Sequence, residues 1–185
     1  MKYYVVALFD KQSYEVLSPL QRKFSKKYRA NRRSPIPHIA LDVIETSNID
    51  KITPVIEKVL KPYKRFKVEY KPNSASINET LKTVNLEIED RGYIKKIYTA
   101  LTDNFELSGL NVKFSPAIDD NNVGISLATI NHIAKDKKTD SYANQNTKLN
   151  ESDNINTLKI DRFEIWKVFP NKKEVCLKSF PLKNF

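Results

Sequence analysis

Two segments of this 185-residue chain carry side chains suited to proton transfer and hydrogen bonding. His38 lies in the segment PHIALDVI (37–44), and Ser126 lies in the segment VGISLATI (123–130). Histidine exchanges a proton near neutral pH, and a serine hydroxyl both donates and accepts hydrogen bonds. Both segments are rich in Ile, Leu and Val, which favours buried strands. The candidate chemistry of this chain is therefore expected on two strands.

The two segments match each other residue by residue. The aligned apolar pairs are Ile39 with Ile125, Leu41 with Leu127, and Ile44 with Ile130. Because alternate side chains of a strand share a face, each segment has an apolar face and a face of small or polar residues. The second face consists of His38, Ala40 and Asp42 in one segment and of Gly124, Ser126 and Ala128 in the other. If the strands face each other across a cleft, these small side chains leave room for a ligand; alternatively, they pack beneath a helix and His38 is an ordinary, partly buried histidine.

The rest of the chain predicts short strands and three helices. Asp10 is a suitable N-cap for a helix over 11–30, in which Pro19 predicts a kink or a late start. Further helices are expected over 49–60 and 92–107. The other strands are expected over 3–9, 65–70, 81–88, 110–114, 157–169 and 173–180. Since neighbouring strands are not all joined by helices, the pattern favours an α+β fold with antiparallel sheets.

Composition excludes several classes of site. One cysteine, Cys176, excludes an intramolecular disulfide framework and a cysteine-rich zinc site, and two histidines, His38 and His132, exclude a histidine-rich metal site. Three glycines exclude a P-loop and a glycine-rich dinucleotide turn. The net charge of +10 is compatible with a nucleic-acid partner, but the abundance of Lys, Asn and Ile also fits a codon bias that raises the charge without such a role.

The first residues and the hydropathy of the chain predict where the protein resides, and its composition predicts one insertion. The first ten residues, MKYYVVALFD, lack the cleavage site of a signal peptide, and no apolar stretch reaches the roughly 18–20 residues of a membrane span. We therefore expect a cytoplasmic monomer with no membrane association. Residues 135–156 have almost no apolar content and predict a mobile insertion, which is either a lid or RNA-contacting loop or a plain surface insertion.

Taken together, these segments resemble the 2H phosphoesterase superfamily, specifically the 2'-5' RNA ligase-like proteins. The resemblance rests on the N-terminal strand, Pro-His-Ile-Ala-Leu at 37–41, Ile-Ser-Leu-Ala at 125–128 and Ile-Asp-Arg-Phe-Glu-Ile-Trp-Lys at 160–167. It implies a single bilobal domain over 1–185, in which two antiparallel sheets form a V-shaped cleft and the helices cover the outer faces. It also implies hydrolysis of 2',3'-cyclic or 2'-5' phosphodiesters by two His-x-Thr/Ser motifs, without a metal or another cofactor.

The chain departs from that pattern at two of the four motif positions. Ala40 stands where the first motif has its hydroxyl, and Gly124 stands where the second motif has its histidine. Two histidines supply the base and the acid of phosphodiester cleavage, and each such group typically contributes about 10²–10⁴-fold in rate. His132 is too far along the chain to replace the missing imidazole. His38 and Ser126 are therefore the predicted catalytic residues of an incomplete site, with Ala40 and Gly124 lining the place where substrate binds.

A basic stretch leads into the first motif. Residues 22–33 contain seven Lys and Arg residues with Phe24 and Tyr28 between them, which suits contact with a phosphate backbone. The substrate-binding candidates in it are Arg29, Arg32 and Arg33. The alternative is a solvated helix face whose aromatic side chains turn to the core.

The sequence favours two function hypotheses over a third, a structural or interaction domain that binds no ligand. The first is a module that binds RNA or nucleotide phosphate between the lobes, with weak or no turnover. The second is an active phosphodiesterase that works with His38 and Ser126 alone. Trp166 in the C-terminal hairpin either stacks on a base or packs in the core.

Overall fold

The computed structural model describes residues 1–31, 33–46, 48–79, 82–89, 91–113, 123–130, 156–169 and 174–184. The elements in these ranges are β1 (Lys2–Phe9), α1 (Lys11–Lys27), β2 (Ile39–Glu45), α2 (Ile52–Leu60), β3 (Phe66–Tyr70), β4 (Ser76–Asn78), β5 (Thr83–Glu89), α3 (Tyr93–Leu107), β6 (Asn111–Lys113), β7 (Val123–Thr129), β8 (Thr157–Val168) and β9 (Glu174–Pro181). A short 3₁₀ turn, Ile49–Lys51, leads into α2. The predicted insertion over 135–156 lies outside the described residues except for its last residue.

The first helix begins where its cap is predicted. The backbone N–H of Ser13 donates to the Asp10 carboxylate over 2.8 Å, which satisfies one of the free donors of the first turn. The helix then continues through Pro19, so a late start at that proline is wrong. Phe24 is buried in the core, and the exposed side of the helix carries its lysines and arginines.

All described strand pairs are antiparallel, and the α+β class is confirmed. The strand order is β4-β5-β3-β8-β1-β2-β6, with β7 paired to β5 and β9 paired to β8. This single hydrogen-bonded network corrects the expectation of two separate sheets. It is continuous because β8 pairs with β3 through its first residues and with β1 from Ile160 to Lys167. The V-shaped cleft and the bilobal domain stay predictions.

The main core lies between this sheet and the helices. The buried side chains of α3 are Ile94, Ile97, Leu101 and Phe105, three or four residues apart, as one face of a helix requires. Helices α2 and α3 contact each other, and Thr102 of α3 reaches Asp42 of β2. A second, smaller cluster of buried residues consists of Val6, Leu8 and Trp166. Among the described residues, none of the helices has the length and apolar character needed to cross a bilayer.

Candidate active site

The two matched segments lie side by side in the structure. The backbone N–H of His38 donates to the Ser126 carbonyl over 3.2 Å, and the N–H of Ser126 donates to the His38 carbonyl over 2.8 Å. Residues that exchange both bonds in an antiparallel pair stand directly opposite each other, with their side chains on one face. The imidazole and the hydroxyl named from the sequence are therefore neighbours.

A third polar residue extends this pair into a row. Ser126 of β7 is the direct partner of Asn85 of β5. The side chains of His38, Ser126 and Asn85 consequently share one face across three adjacent strands, and we call them the polar row. Opposed side chains of paired strands have Cβ atoms about 4.5–5.5 Å apart, so one small anion can touch neighbouring members. His38 and Ser126 are buried, whereas Asn85 is half-buried and is the most exposed member of the row.

Both motif strands carry a β-bulge at the matching leucine. In β2 the pairing with β1 skips Leu41, and in β7 the pairing with β5 skips Leu127. A bulge places two residues opposite one and shifts the residues after it to the other face. Asp42 therefore pairs with Val5 on the core side, and the prediction that it shares a face with His38 and Ala40 is wrong.

His38 is held as a neutral imidazole. Its Nδ1 lies 2.9 Å from the carbonyl oxygen of Ile36, and because that oxygen only accepts, Nδ1 carries the ring proton. Burial lowers the pKa of His38 to about 4, although the hydrogen bond to Ile36 opposes this shift. In the described residues, Nε2 has no hydrogen-bond partner. At neutral pH, His38 can thus accept a proton or a hydrogen bond at Nε2 and has none to give there.

Trp166 packs against this imidazole. The two ring centroids are 4.7 Å apart, and the indole is 6% exposed, which leaves no open face for a nucleobase. The indole Nε1–H donates to Glu164 over 2.7 Å. Arg162 donates to the same carboxylate over 2.9 Å and also to Asp161. This guanidinium, although near the row, is already occupied by acidic partners.

Tyr14 of α1 anchors the peptide that precedes His38. Its hydroxyl donates to the carbonyl of Pro37 over 3.0 Å and accepts from the backbone N–H of Phe9 over 3.4 Å. Burial raises the pKa of Tyr14 to about 12, so the phenol stays protonated and can keep donating. The tyrosine is therefore a positioning residue for the start of β2.

We expect Tyr14→Phe to lower the free energy of unfolding by about 1 kcal/mol, because the Pro37 carbonyl loses its donor. Urea unfolding followed by circular dichroism measures this change. The His38 ring should also become more mobile, which broadens its imidazole signals in NMR spectra. Tyr63→Phe serves as the control, since no hydrogen bond of that hydroxyl is found in the described part of the chain. Equal stability of Tyr14→Phe and the unmodified protein would contradict this role.

Comparisons with known proteins show which solved structures share this architecture. No family model matches the chain, and no curated protein matches its sequence. Among solved structures, E. coli LigT complexed with 3'-AMP is 12% identical with a TM-score of 0.60, covering 98% of this chain and 97% of its own. The protein TT0787 of Thermus thermophilus is 13% identical with a TM-score of 0.60, covering 100% and 99%. Usb1 of Kluyveromyces marxianus is 9% identical with a TM-score of 0.50, covering 98% of each chain.

This chain has the 2H phosphoesterase fold. The shared architecture extends over nearly the whole length of each chain, so the terminal hairpin and the motif strands all belong to it. With identities this low, the likeness concerns the fold, and the chemistry has to be argued from this chain's own side chains.

In this 2H phosphoesterase fold, the two departures from the motif leave little space. Gly124 of β7 pairs with Glu87, and a Cβ added to it would lie 3.3 Å from Asn85 Nδ2. Ala40 is buried and pairs with Val6. The volume beside Gly124 is thus occupied by the amide of Asn85, which the sequence analysis did not single out.

The basic stretch ends beside the second motif strand. The N–H of Asn31 donates to the Thr129 carbonyl over 2.7 Å, and the N–H of Thr129 donates to Ser34 Oγ over 3.0 Å. Arg29 and Arg33 are exposed in this loop, whereas Arg32 lies outside the described residues. No ion pair of Arg29 or Arg33 is found within the described ranges. The exposed cations fit both the predicted phosphate contact and a solvated face.

The remaining polar candidates are His132 and the alternating polar residues of β5. His132 lies outside the described residues. Within the described ranges, no group of three or more His, Cys, Asp or Glu side chains is arranged to hold a metal ion. A signal for Asn85 was present, because Thr83, Asn85 and Glu87 alternate with Val84, Leu86 and Ile88. The alternation does not reveal which residue of another strand stands opposite Asn85.

Proposed function

We propose that this protein binds the phosphodiester of a nucleotide or an RNA end at the polar row and turns it over weakly or not at all. The observation that carries the proposal is the direct pairing of His38 with Ser126. It supports a site in which the Ser126 hydroxyl donates to an anion directly beside the His38 imidazole. E. coli LigT, which shares the fold, has been solved in complexes with 3'-AMP, ATP and phosphate.

Binding without efficient turnover follows from the protonation of the site. Phosphodiester cleavage needs a base for the attacking oxygen and an acid for the leaving one. With a pKa of about 4, His38 is protonated in roughly one molecule in a thousand at pH 7 and does not serve as the acid. Gly124 carries no group that would serve in its place.

A second candidate function is an active phosphodiesterase in which His38 alone is the general base. The observation in its favour is the tautomer, because a proton on Nδ1 leaves the Nε2 lone pair available for an attacking hydroxyl. Ser126 would then donate its hydroxyl hydrogen to a phosphate oxygen. Water would protonate the leaving oxygen, which makes this reaction slow.

An RNA partner is favoured over a free nucleotide by the charge of α1 and the loop that follows it. Exposed cations without an acidic partner interact most favourably with a phosphate backbone. This interaction weakens as the salt concentration rises, because salt ions compete for the same charges. We therefore expect a short RNA with a cyclic phosphate end to bind more tightly than the mononucleotide at low salt, with the difference shrinking as salt rises.

The binding test uses 2',3'-cyclic AMP, followed by NMR titration of the unmodified protein, His38→Ala and Ser126→Ala. Loss of the Ser126 hydroxyl, which donates a hydrogen bond to a charged oxygen, weakens binding by about 10–100-fold in Ser126→Ala. Ser108→Ala at the exposed end of α3 is the matched control and should bind like the unmodified protein. Absence of binding to the unmodified protein contradicts the proposal. Turnover that disappears in His38→Ala would favour the enzyme over the binding module.

A further inference from the structure

The amide of Asn85 is oriented by its neighbour on the same strand. Thr83 Oγ donates to Asn85 Oδ1 over 2.8 Å, and Thr83 is itself buried. A carboxamide whose oxygen accepts in this way presents its Nδ2 hydrogens on the opposite side. No hydrogen bond from Nδ2 is found in the described part of the chain. Asn85 therefore offers unused donors on the face of the polar row.

The position of this amide explains why the missing side chain at Gly124 leaves no empty space. A Cβ at Gly124 would lie 3.3 Å from Nδ2, 3.4 Å from Cβ and 3.6 Å from Cγ of Asn85. The carboxamide thus fills the volume into which a longer side chain at 124 would project. It stands directly beside Ser126, with which Asn85 pairs.

We propose that Asn85 is an anion-binding residue of this site, donating an Nδ2 hydrogen to a non-bridging oxygen of a phosphodiester that also accepts from the Ser126 hydroxyl, beside the neutral His38 imidazole. This inference rests on the proposed function and names a donor that the motif does not contain. A carboxamide does not ionise near neutral pH, so Asn85 binds the phosphate without serving as an acid.

The lack of a formal charge on the three side chains of the polar row indicates which kind of phosphate they bind. His38, Ser126 and Asn85 carry no formal charge at neutral pH, and the nearby Glu87 is ion-paired with Lys71 over 2.7 Å. A site without a cation compensates a single negative charge with hydrogen bonds far more readily than it compensates two. The row should therefore prefer a phosphodiester, with one negative charge, over a phosphomonoester, which carries close to two at pH 7.5.

The test compares 2',3'-cyclic AMP with 3'-AMP by NMR titration at pH 7.5. We expect Asn85→Ala to weaken binding of the cyclic nucleotide by about 10–100-fold. Asn85→Asp keeps the size of the side chain and an acceptor for Thr83, but it loses the donor and adds a repelling charge, so binding should fall further. Asn104→Ala is the matched control, since its amide donates within α3 to Ala100.

A second measurement does not depend on any variant folding. In the unmodified protein, the side-chain N–H signals of Asn85 should shift downfield when the cyclic nucleotide is added. If the unmodified protein binds, but Asn85→Ala binds within twofold of it and the amide signals stay in place, the role of Asn85 is overturned while the proposed function stands. If the unmodified protein binds neither nucleotide, both fail. Equal or tighter binding of 3'-AMP would overturn the preference for a phosphodiester.

Discussion

Gly124→His combined with Ala40→Thr raises the hydrolysis of 2',3'-cyclic AMP by about 10²–10⁴-fold over the unmodified protein. The introduced imidazole lies on the strand that carries Ser126 and supplies the acid that His38 cannot provide. The introduced hydroxyl gives the first motif strand a hydrogen-bond donor for the phosphate. The two histidines can then divide the roles of base and acid across the paired strands.

The steric surroundings of Gly124 shape this experiment. A Cβ at 124 meets Asn85 Nδ2 at 3.3 Å, which is tight, so the full gain is expected only when Asn85→Ser is added. Serine keeps a hydroxyl on that face and frees the volume of the amide. Turnover is measured by chromatographic separation of the cyclic nucleotide from its monoester products.

The matched control replaces Gly124→His by Gly124→Ala in the same background. Alanine introduces the same Cβ without an imidazole, so its turnover should stay at the level of the unmodified protein. If the histidine variant is folded and binds no cyclic nucleotide at all, the polar row is not a phosphodiester site. If it binds but its turnover equals that of the alanine control, the two imidazoles do not act as an acid–base pair.

Asp42→Asn makes the stability of the protein increase with pH between about pH 4 and pH 6.5. Asp42 is fully buried between β2 and α3, where Oδ1 accepts from Thr102 over 3.1 Å and Oδ2 has no hydrogen-bond partner among the described residues. Burial raises the pKa of Asp42 from 3.8 to about 7, although the Thr102 hydrogen bond opposes the shift. The folded state therefore binds a proton that the unfolded state releases. As a result, the contribution of Asp42 to the free energy of unfolding falls as pH rises from 4 to 7.

The pKa shift of His38 changes the stability of the protein in the opposite direction over nearly the same pH range. Its pKa falls from 6.5 to about 4 on folding, so the unfolded state binds the extra proton and stability rises between pH 4 and 6.5. Each effect is on the order of 3–4 kcal/mol, from about 1.4 kcal/mol per pKa unit. The two contributions largely cancel in the unmodified protein. Its free energy of unfolding should therefore change little between pH 4.5 and 6.5.

Replacing one of the two ionisable residues makes the pH dependence that is caused by the other measurable. Stability of Asp42→Asn should increase with pH over this range, while stability of His38→Gln should decrease. Urea unfolding at pH 4.5, 5.5, 6.5 and 7.5 and constant ionic strength measures both slopes. Asp103→Asn, at an exposed site next to Thr102 on α3, is the matched control and should keep the level profile. A level profile for Asp42→Asn would mean that the buried carboxyl does not take up a proton on folding.

The amino-acid sequence determined the features that depend on neighbours along the chain. Asp10 caps α1 as predicted, since capping needs only the N–H groups three residues ahead. The helix expected over 92–107 corresponds to α3, whose buried side chains Ile94, Ile97, Leu101 and Phe105 are spaced three or four residues apart. The resemblance of the two segments around His38 and Ser126 pointed to the 2H phosphoesterase fold, because the residues that form the motif strands are contiguous.

The tertiary structure decided the features that depend on register between distant strands. Alternation assigns faces only while a strand pairs regularly, and the bulges at Leu41 and Leu127 interrupt that pairing, which is why Asp42 turned to the core. The row through Asn85 likewise depends on two hydrogen-bonded pairings between segments far apart in the chain. Trp166, supplied by the C-terminal hairpin, packs against the His38 imidazole and contributes to the burial that keeps it neutral. Local sequence carries the residue types, whereas their pairing and solvation are set by contacts that exist only once the chain has folded.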